Sequence, residues 1–393
     1  MKEYDAVIIG AGPAGLASAF FLGREGLRLA LVDRQTFPID KPCGEGVMPP
    51  GVKLLEEMGV TANLAREHYQ PFQGIQYQTE TGRRAQGTFA EGEGWGIRRL
   101  HLSEALGKTL VASGAQVDVF AECAVTGVSR EGDRMKVDMA GGESLSAKVV
   151  IGADGLRSRV RKWAGLEKPM AKGKRLGIRQ HFACRPWSDW VEVYPQGGKE
   201  LYITPCGPEQ IGVACLWDGN RVETPRPGTK AFRQLFADFP EIRDRVGDAP
   251  EASEVQSRGP LEQRTRGRVA PGVMLVGDSG GYLDACTGEG ITLTLKQAKL
   301  AGEMVGPALR EARSGPELEV AMDRWERACR SLMRSYYFGT RFQMLLQQRP
   351  ALVEQYVSLL GKRPALFQHL LSFNHGTTGL IPPIKRWREV ALG

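Results

Sequence analysis

The run "YDAVIIGAGPAGLASAFFLGREGLRLALVDR", Tyr4 to Arg34, constrains this chain more than any other stretch of it. "AVII" is a short unbroken apolar segment, the pattern of a strand buried on both faces. Gly10, Gly12 and Gly15 follow, then a helical stretch, then the strand-like "LRLALVD", which closes on Asp33. Each piece has a physical reason at this spacing. Gly10 permits the tight turn, Gly12 leaves bare backbone where a pyrophosphate must approach, and Gly15 lets the helix pack closely on the strand. The helix N-terminus offers unpaired N–H groups and partial positive charge to that pyrophosphate. An acid at the end of the second strand can accept both hydroxyls of a ribose. Together they predict a dinucleotide-binding strand–turn–helix–strand unit, and they leave open whether the dinucleotide is NAD or FAD.

Three later motifs narrow that choice. "VVIGADGLRSRVRKW" reads as another buried strand, ending in Asp154-Gly155, with Ser158 and Arg161 beyond it. "VMLVGDSGGYLDACTGEGI" is a third such strand ending in Gly277-Asp278, followed by flexible, polar sequence that suits neither a strand nor a helix. "GWGIRRLHLSEAL" places Arg99 ahead of Leu102 and Leu106 at the start of an amphipathic helix.

The order G-x-G-x-x-G, R-x-x-L-x-x-x-L, D-G-x-x-S-x-x-R and G-D resembles the flavoprotein superfamily of para-hydroxybenzoate hydroxylase-type monooxygenases. Flavin-dependent halogenases and geranylgeranyl reductases share that organisation. The resemblance covers about residues 1 to 310 and implies an α/β fold. Its FAD-binding Rossmann-like domain would be discontinuous (1–65, 95–170 and 262–312) and would carry an inserted antiparallel β-sheet substrate domain (66–94 and 171–261). A helical C-terminal region (313–393) would follow. It also implies non-covalent FAD. Gly10, Gly12, Ala14 and Gly15 would hold the pyrophosphate, with Asp33 and Arg34 at the adenosine end. Val125 would hold the adenine through its backbone, and Arg99 would reach the pyrophosphate or ribityl region. Asp154-Gly155 would lie where FAD and NAD(P)H pass. Gly277-Asp278 would take the ribityl chain, and Gly288, Gly290 and Ile291 would lie against the ring. NAD(P)H, as transient hydride donor, or an external reductase would supply electrons, since no second G-x-G-x-x-G is present.

"TGEGI" (287–291) and "KPCGEGVMPPG" (41–51) resemble the geranylgeranyl reductase branch, with Ala285 where both branches usually have Pro. The halogenase signature W-x-W-x-I-P is absent. The favoured expectation is a monooxygenase, which would hydroxylate or epoxidise a hydrophobic aromatic, polyketide or prenylated molecule through a flavin C4a-hydroperoxide. The alternative is an ene-reductase of the geranylgeranyl reductase type acting on a lipid-like substrate, and a non-catalytic lipid carrier is a third reading. Candidate catalytic side chains are Cys43, in the loop that runs near the flavin in the reductase branch, and Glu45 and Asp284 as proton donors. His181, on a strand of the inserted sheet, is a candidate base.

Composition excludes other classes. Seven scattered cysteines without a C-x-x-C pair argue against a disulfide scaffold or a zinc site, and no metal is expected. With "MKEYDAVIIG" running straight into a strand, they predict a cytoplasmic protein. The net charge is +7, and residues 331–393 carry eight Arg and Lys against two Glu. That basicity is too diffuse for nucleic acid. It leaves peripheral membrane contact open, with apolar helices that either pack on the core or close over a hydrophobic substrate.

Overall fold

The computed structural model describes residues 1–169, 175–311 and 315–382. Residues 170–174, at the expected border of the inserted domain, and the last eleven residues lie outside the described set. Among the described residues the first sheet is built on parallel strands, Lys2–Ile9, Leu29–Val32, Val117–Phe120, Ser144–Gly152 and Val273–Leu275. The helices Pro13–Gly23, Arg99–Ala112 and Gly290–Glu311 cover one face. The antiparallel pair Val125–Glu131 and Arg134–Met139 joins the same sheet through Ser144–Gly152 and packs Met135, Val137 and Met139 over the other face. Two covered faces explain why Leu29–Val32, Val273–Leu275 and the ends "AVII" and "VVI" of the two long strands are unbroken apolar runs, whereas the edge strand Val117–Phe120 carries Asp118. Ile9 pairs with Gly152 and with Val32, and Gly152 with Leu275. The four strands therefore end in register, and the segments after them gather at one carboxyl edge. Open α/β sheets bind their ligands at such an edge.

The inserted segments form a seven-stranded sheet in the order 256–258, 175–182, 210–218, 199–207, 190–196, 74–78, 84–88. It is mixed rather than purely antiparallel. Gly74–Gln78 lies parallel to Trp190–Gln196, because it reaches the sheet from an earlier segment instead of through a hairpin. Thr229–Ala237 and Pro240–Val246 pack Phe232, Phe236 and Ile242 on it.

The helix Pro316–Gln347 staples the two units. Its first half buries Leu318, Met322 and Trp325 in the main core, and Trp325 Nε1 donates to Gln297 O at 3.1 Å. Its second half reaches the inserted sheet, where Gln343 donates to Tyr77 Oη at 2.8 Å. Pro350–Lys362 and Pro364–Asn374 follow and cover Arg84–Thr88. Gly87 permits this, since a Cβ there would stand 2.6 Å from the Phe367 ring.

Candidate FAD site

The first turn gives its three glycines three separate jobs. Gly10 has φ +103°, a conformation that costs other residues dearly, and a Cβ on it would lie 2.5 Å from Ala153 O. A Cβ on Gly15 would come within 1.8 Å of Gly10 O, so the helix could not sit this close with any side chain. Gly12 is different: a Cβ there meets nothing within 4 Å. Its bare backbone borders open space at the N-terminus of Pro13–Gly23, whose first turn has no capping side chain. Ala14 is buried against the same corner and approaches Gly277.

Charged groups converge on that space. Asp33 accepts from Ala11 N at 2.7 Å and Gln35 N at 2.8 Å, one bond to each oxygen. A carboxylate has about four acceptor sites, so lone pairs remain for a ribose. Arg34 beside it is exposed. Arg99, the first residue of its helix, is buried, and its Nη1 has no hydrogen-bond partner. Asp154 Oδ2 accepts from Arg159 N at 2.7 Å and Val160 N at 3.2 Å, while its Oδ1 is buried without a partner. A buried unpaired guanidinium nitrogen and carboxylate oxygen at one edge are the complement of a missing polar ligand. Asp278 is half-buried in the turn Gly277–Gly280. Burial pushes its carboxyl up to about 6, against the pull of Arg99, Lys41 and Arg161. Of these, Arg99 keeps an unpartnered Nη1 that could meet a bound phosphate. Val125 begins its strand with its carbonyl accepting from Arg159 Nη1 at 3.1 Å.

The turn after Asp278 is held rigidly. Arg161, fully buried, donates to Ser279 O, Leu156 O and Gln263 Oε1, each at 2.9 Å, tying the Asp154-Gly155 loop to the Asp278 loop. Gly277 N donates to Gln297 Oε1 at 3.0 Å. Tyr336, from the long C-terminal helix, accepts from Leu283 N and Asp284 N at 3.2 Å and donates to Asp284 O at 2.9 Å. Sequence reasoning assigned the C-terminal region no part in shaping this loop. Nothing in the sequence links two segments some fifty residues apart, so only the packing reveals the clamp. Gly288 lies in the turn before the helix Gly290–Glu311, which Gly290 and Ile291 open.

The geometry sorts the catalytic candidates. Asp284 is not an available proton donor: its Oδ2 pairs with Arg175 Nε at 3.0 Å and its Oδ1 accepts from Cys286 N at 3.1 Å. Arg175 also pairs with Glu200 and donates to Gln347 at 2.8 Å, so Asp284 belongs to a buried network joining loop, sheet and helix. His181 does not face a pocket. It is fully buried, its Nε2 paired with Glu45 and its Nδ1 bonded to Ser253 Oγ at 2.8 Å. Glu45 is no acid either. Burial alone would raise its pKa, but His181, Arg179 and the N–H of Arg99 outweigh burial and hold it below the usual carboxylate range. It sits at φ 62°, a strained conformation for glutamate that these partners hold in place. Cys206 Sγ donates to the same carboxylate at 3.5 Å. Glu45, His181 and Cys206 thus stand close enough to hold an ion, a cluster that no spacing along the chain announces. Their mutual hydrogen bonds and the guanidinium of Arg179, 3.9 Å from Glu45, already satisfy that carboxylate. Cys43 is left as the free candidate. It is half-buried, accepts from Glu45 N at 3.3 Å, and burial pushes its thiol up despite nearby Arg99.

A family model described as an FAD binding domain matches residues 3–328. The chain belongs to this FAD-binding family. The unpaired Arg99 and Asp154 atoms and the open space at Gly12 fit that cofactor. Among curated proteins the chain is 26% identical over 315 residues to menaquinone reductase of Mycobacterium tuberculosis, covering 77% of this chain and 76% of that one. It is 27% identical over 350 residues to digeranylgeranylglycerophospholipid reductase 2 of Methanopyrus kandleri, covering 82% of each. A solved flavoprotein/dehydrogenase from Cytophaga hutchinsonii superposes with TM-score 0.78 at 18% identity, covering 100% of this chain and 96% of the other. The halogenase PltM in complex with phloroglucinol and FAD gives 0.77 at 16%, covering 94% and 82%. At such identities the solved structures speak for a shared fold alone. The protein is an FAD-dependent oxidoreductase by family.

Proposed function

We propose that this flavoprotein is an ene-reductase that saturates a carbon–carbon double bond of a long hydrophobic, prenyl-type substrate. Cys43 carries the reading: a half-buried thiol, kept protonated by burial, in the loop between Lys41 and Glu45, within electrostatic reach of Arg99 and Tyr282. Reduction of a double bond needs hydride at one carbon and a proton at the other. When bound, FAD supplies the hydride equivalent. Cys43 Sγ would then donate its proton to the neighbouring carbon, and the charge of Arg99 would stabilise the thiolate left behind. Gly12, Arg99 and Asp278 would hold the cofactor. The Glu45–His181 pair would fix the Cys43 loop, and Met344, Tyr282 and Cys286 would offer the substrate apolar surface. The two reductases named above, each similar over most of its length, support this choice, as do "TGEGI" and the Cys43 loop, over the oxygenase that the superfamily at large suggests. The oxygenase reading has the fold it shares with halogenases on its side.

Oxygen separates the two. Protein reduced with stoichiometric dithionite under nitrogen and given a geranylgeranyl lipid should reoxidise its flavin and release product heavier by H2. Cys43→Ala should slow that step while retaining FAD. Turnover only in air, with oxygen in the product, would replace the reductase reading with the oxygenase.

A further inference from the structure

The second half of Pro316–Gln347 turns apolar side chains outward. Phe338, Phe342 and Leu345 recur at i, i+4 and i+7, one face of a helix, and are 51%, 42% and 64% exposed. Leu352, Tyr356 and Leu359 repeat that spacing on Pro350–Lys362, with Leu352 and Leu359 37% and 44% exposed. The stripes meet. Phe342 contacts Tyr356 edge-on with ring centroids 5.6 Å apart, and Phe338 contacts Phe373 of the last helix at 5.7 Å. Scattered exposed apolar residues need no explanation, but a continuous patch across three helices does.

The charge around the patch has one sign. Arg334, Arg341 and Lys362 are exposed on the same helices, and Arg349 in the turn between them. Residues 331–382 contain a single acid, Glu354, and it is occupied by Thr79 at 2.8 Å, Thr81 at 2.6 Å and Arg83 at 3.4 Å. Self-pairing of this face would bring the basic rims of two copies together, which disfavours a second copy as its occupant.

We infer that this face docks on the surface of an anionic lipid bilayer. Apolar side chains inserted at the headgroup boundary beside arginines and lysines are the chemistry of an interfacial helix. No described helix is long and apolar enough to cross a membrane, so this contact lies on the bilayer. The inner face of the same helix reaches the interior. Met344 packs in the cluster with Tyr282 and Cys286, and Gln347 bonds to Arg175 at 2.8 Å. A hydrophobic substrate could thus pass from bilayer to site along one helix. That last step rests on the lipid-like substrate proposed above, whereas docking itself does not.

The test uses the full chain with FAD, sedimented with vesicles of phosphatidylcholine alone or mixed with phosphatidylglycerol, without substrate. Binding should favour the anionic vesicles and weaken with salt. Replacing Arg341 and Arg349 with Gln should lower partitioning roughly five-fold per residue, because each basic residue near such a surface contributes about 1 kcal/mol. Leu345→Ser should lower it further, with melting temperature and flavin spectrum unchanged. Wild-type binding by these variants, or no binding of the parent to either vesicle, would overturn the inference. So would a dimer in light scattering that Leu345→Ser dissociates. Since no turnover is measured, vesicle binding by a protein that reduces nothing would sink the proposed reaction and leave the docking surface standing.

Discussion

Gly12 and Gly15 stand three residues apart in one turn and should answer an added side chain in opposite ways. A Cβ on Gly15 collides with Gly10 O at 1.8 Å, backbone that cannot yield. We expect Gly15→Ala to cost several kcal/mol, about the 1–3 kcal/mol of an overpacked core site and more. A Cβ on Gly12 meets no protein atom, and the backbone φ of −72° suits any residue. Gly12→Val should therefore melt like the parent protein and purify without flavin. Melting curves beside flavin absorbance check both, and a yellow Gly12→Val protein would remove the dinucleotide from this turn. Glu45 teaches the converse lesson. The sequence allowed a buried glutamate near the cofactor to be an acid, but a carboxylate facing His181 and Arg179 keeps its charge.

At the scale of elements, the loop behind Asp278 depends on a helix that follows it by some fifty residues. Tyr336 satisfies the buried N–H groups of Leu283 and Asp284 at once. Tyr336→Phe keeps the ring and strands both donors, each costing about 1–3 kcal/mol when left buried and unpaired. The expected result is a lower melting temperature together with a several-fold weaker hold on FAD, measured by flavin fluorescence on titration. A mutant with lowered stability and unchanged affinity would mean that the clamp serves the fold alone. The same helix divides the aromatic residues of the C-terminal region by role. Trp325 and Tyr336 are core, while Phe338 and Phe342 face outward.

At the scale of the whole molecule, buried carboxyls raised toward neutrality should show in its stability, Glu289 with Asp278 and Glu200. Glu289 lies within "TGEGI", and neither of its carboxylate oxygens has a hydrogen-bond partner. His375 Nε2 is 3.5 Å away, and Lys296 and Glu91 complete its charged surroundings. Burial pushes its carboxyl up to about 7, opposed by His375 and Lys296. An acid with a raised folded pKa binds its proton more readily folded than unfolded. Its contribution therefore becomes more favourable as pH falls from about 7 toward its ordinary value of 4.5, and less favourable as pH rises through that window. Denaturant midpoints of the parent should decline from about pH 5 to pH 8 on this account, and Glu289→Gln should reduce that slope by its own share, leaving that of Glu200 and Asp278. An equal slope in the variant would place the titration elsewhere.

Local sequence determined what local physics decides. Gly10, Gly12 and Gly15 announced the turn because backbone conformation and close approach leave no other residue type. The strands ending at Asp154 and Asp278 announced themselves as unbroken apolar runs because both faces of the sheet are covered. The tertiary structure alone decided which polar groups would be spent on one another. Asp284 met Arg175, His181 met Glu45, and Tyr336 met the cofactor loop, each across more than fifty residues of chain. The pairing of a buried charge depends on where the fold brings the opposite charge, and that distance is not written in the spacing of residues along the sequence. Cys43 kept its proton for the same reason, because the surroundings that burial created, and no motif, set its acidity.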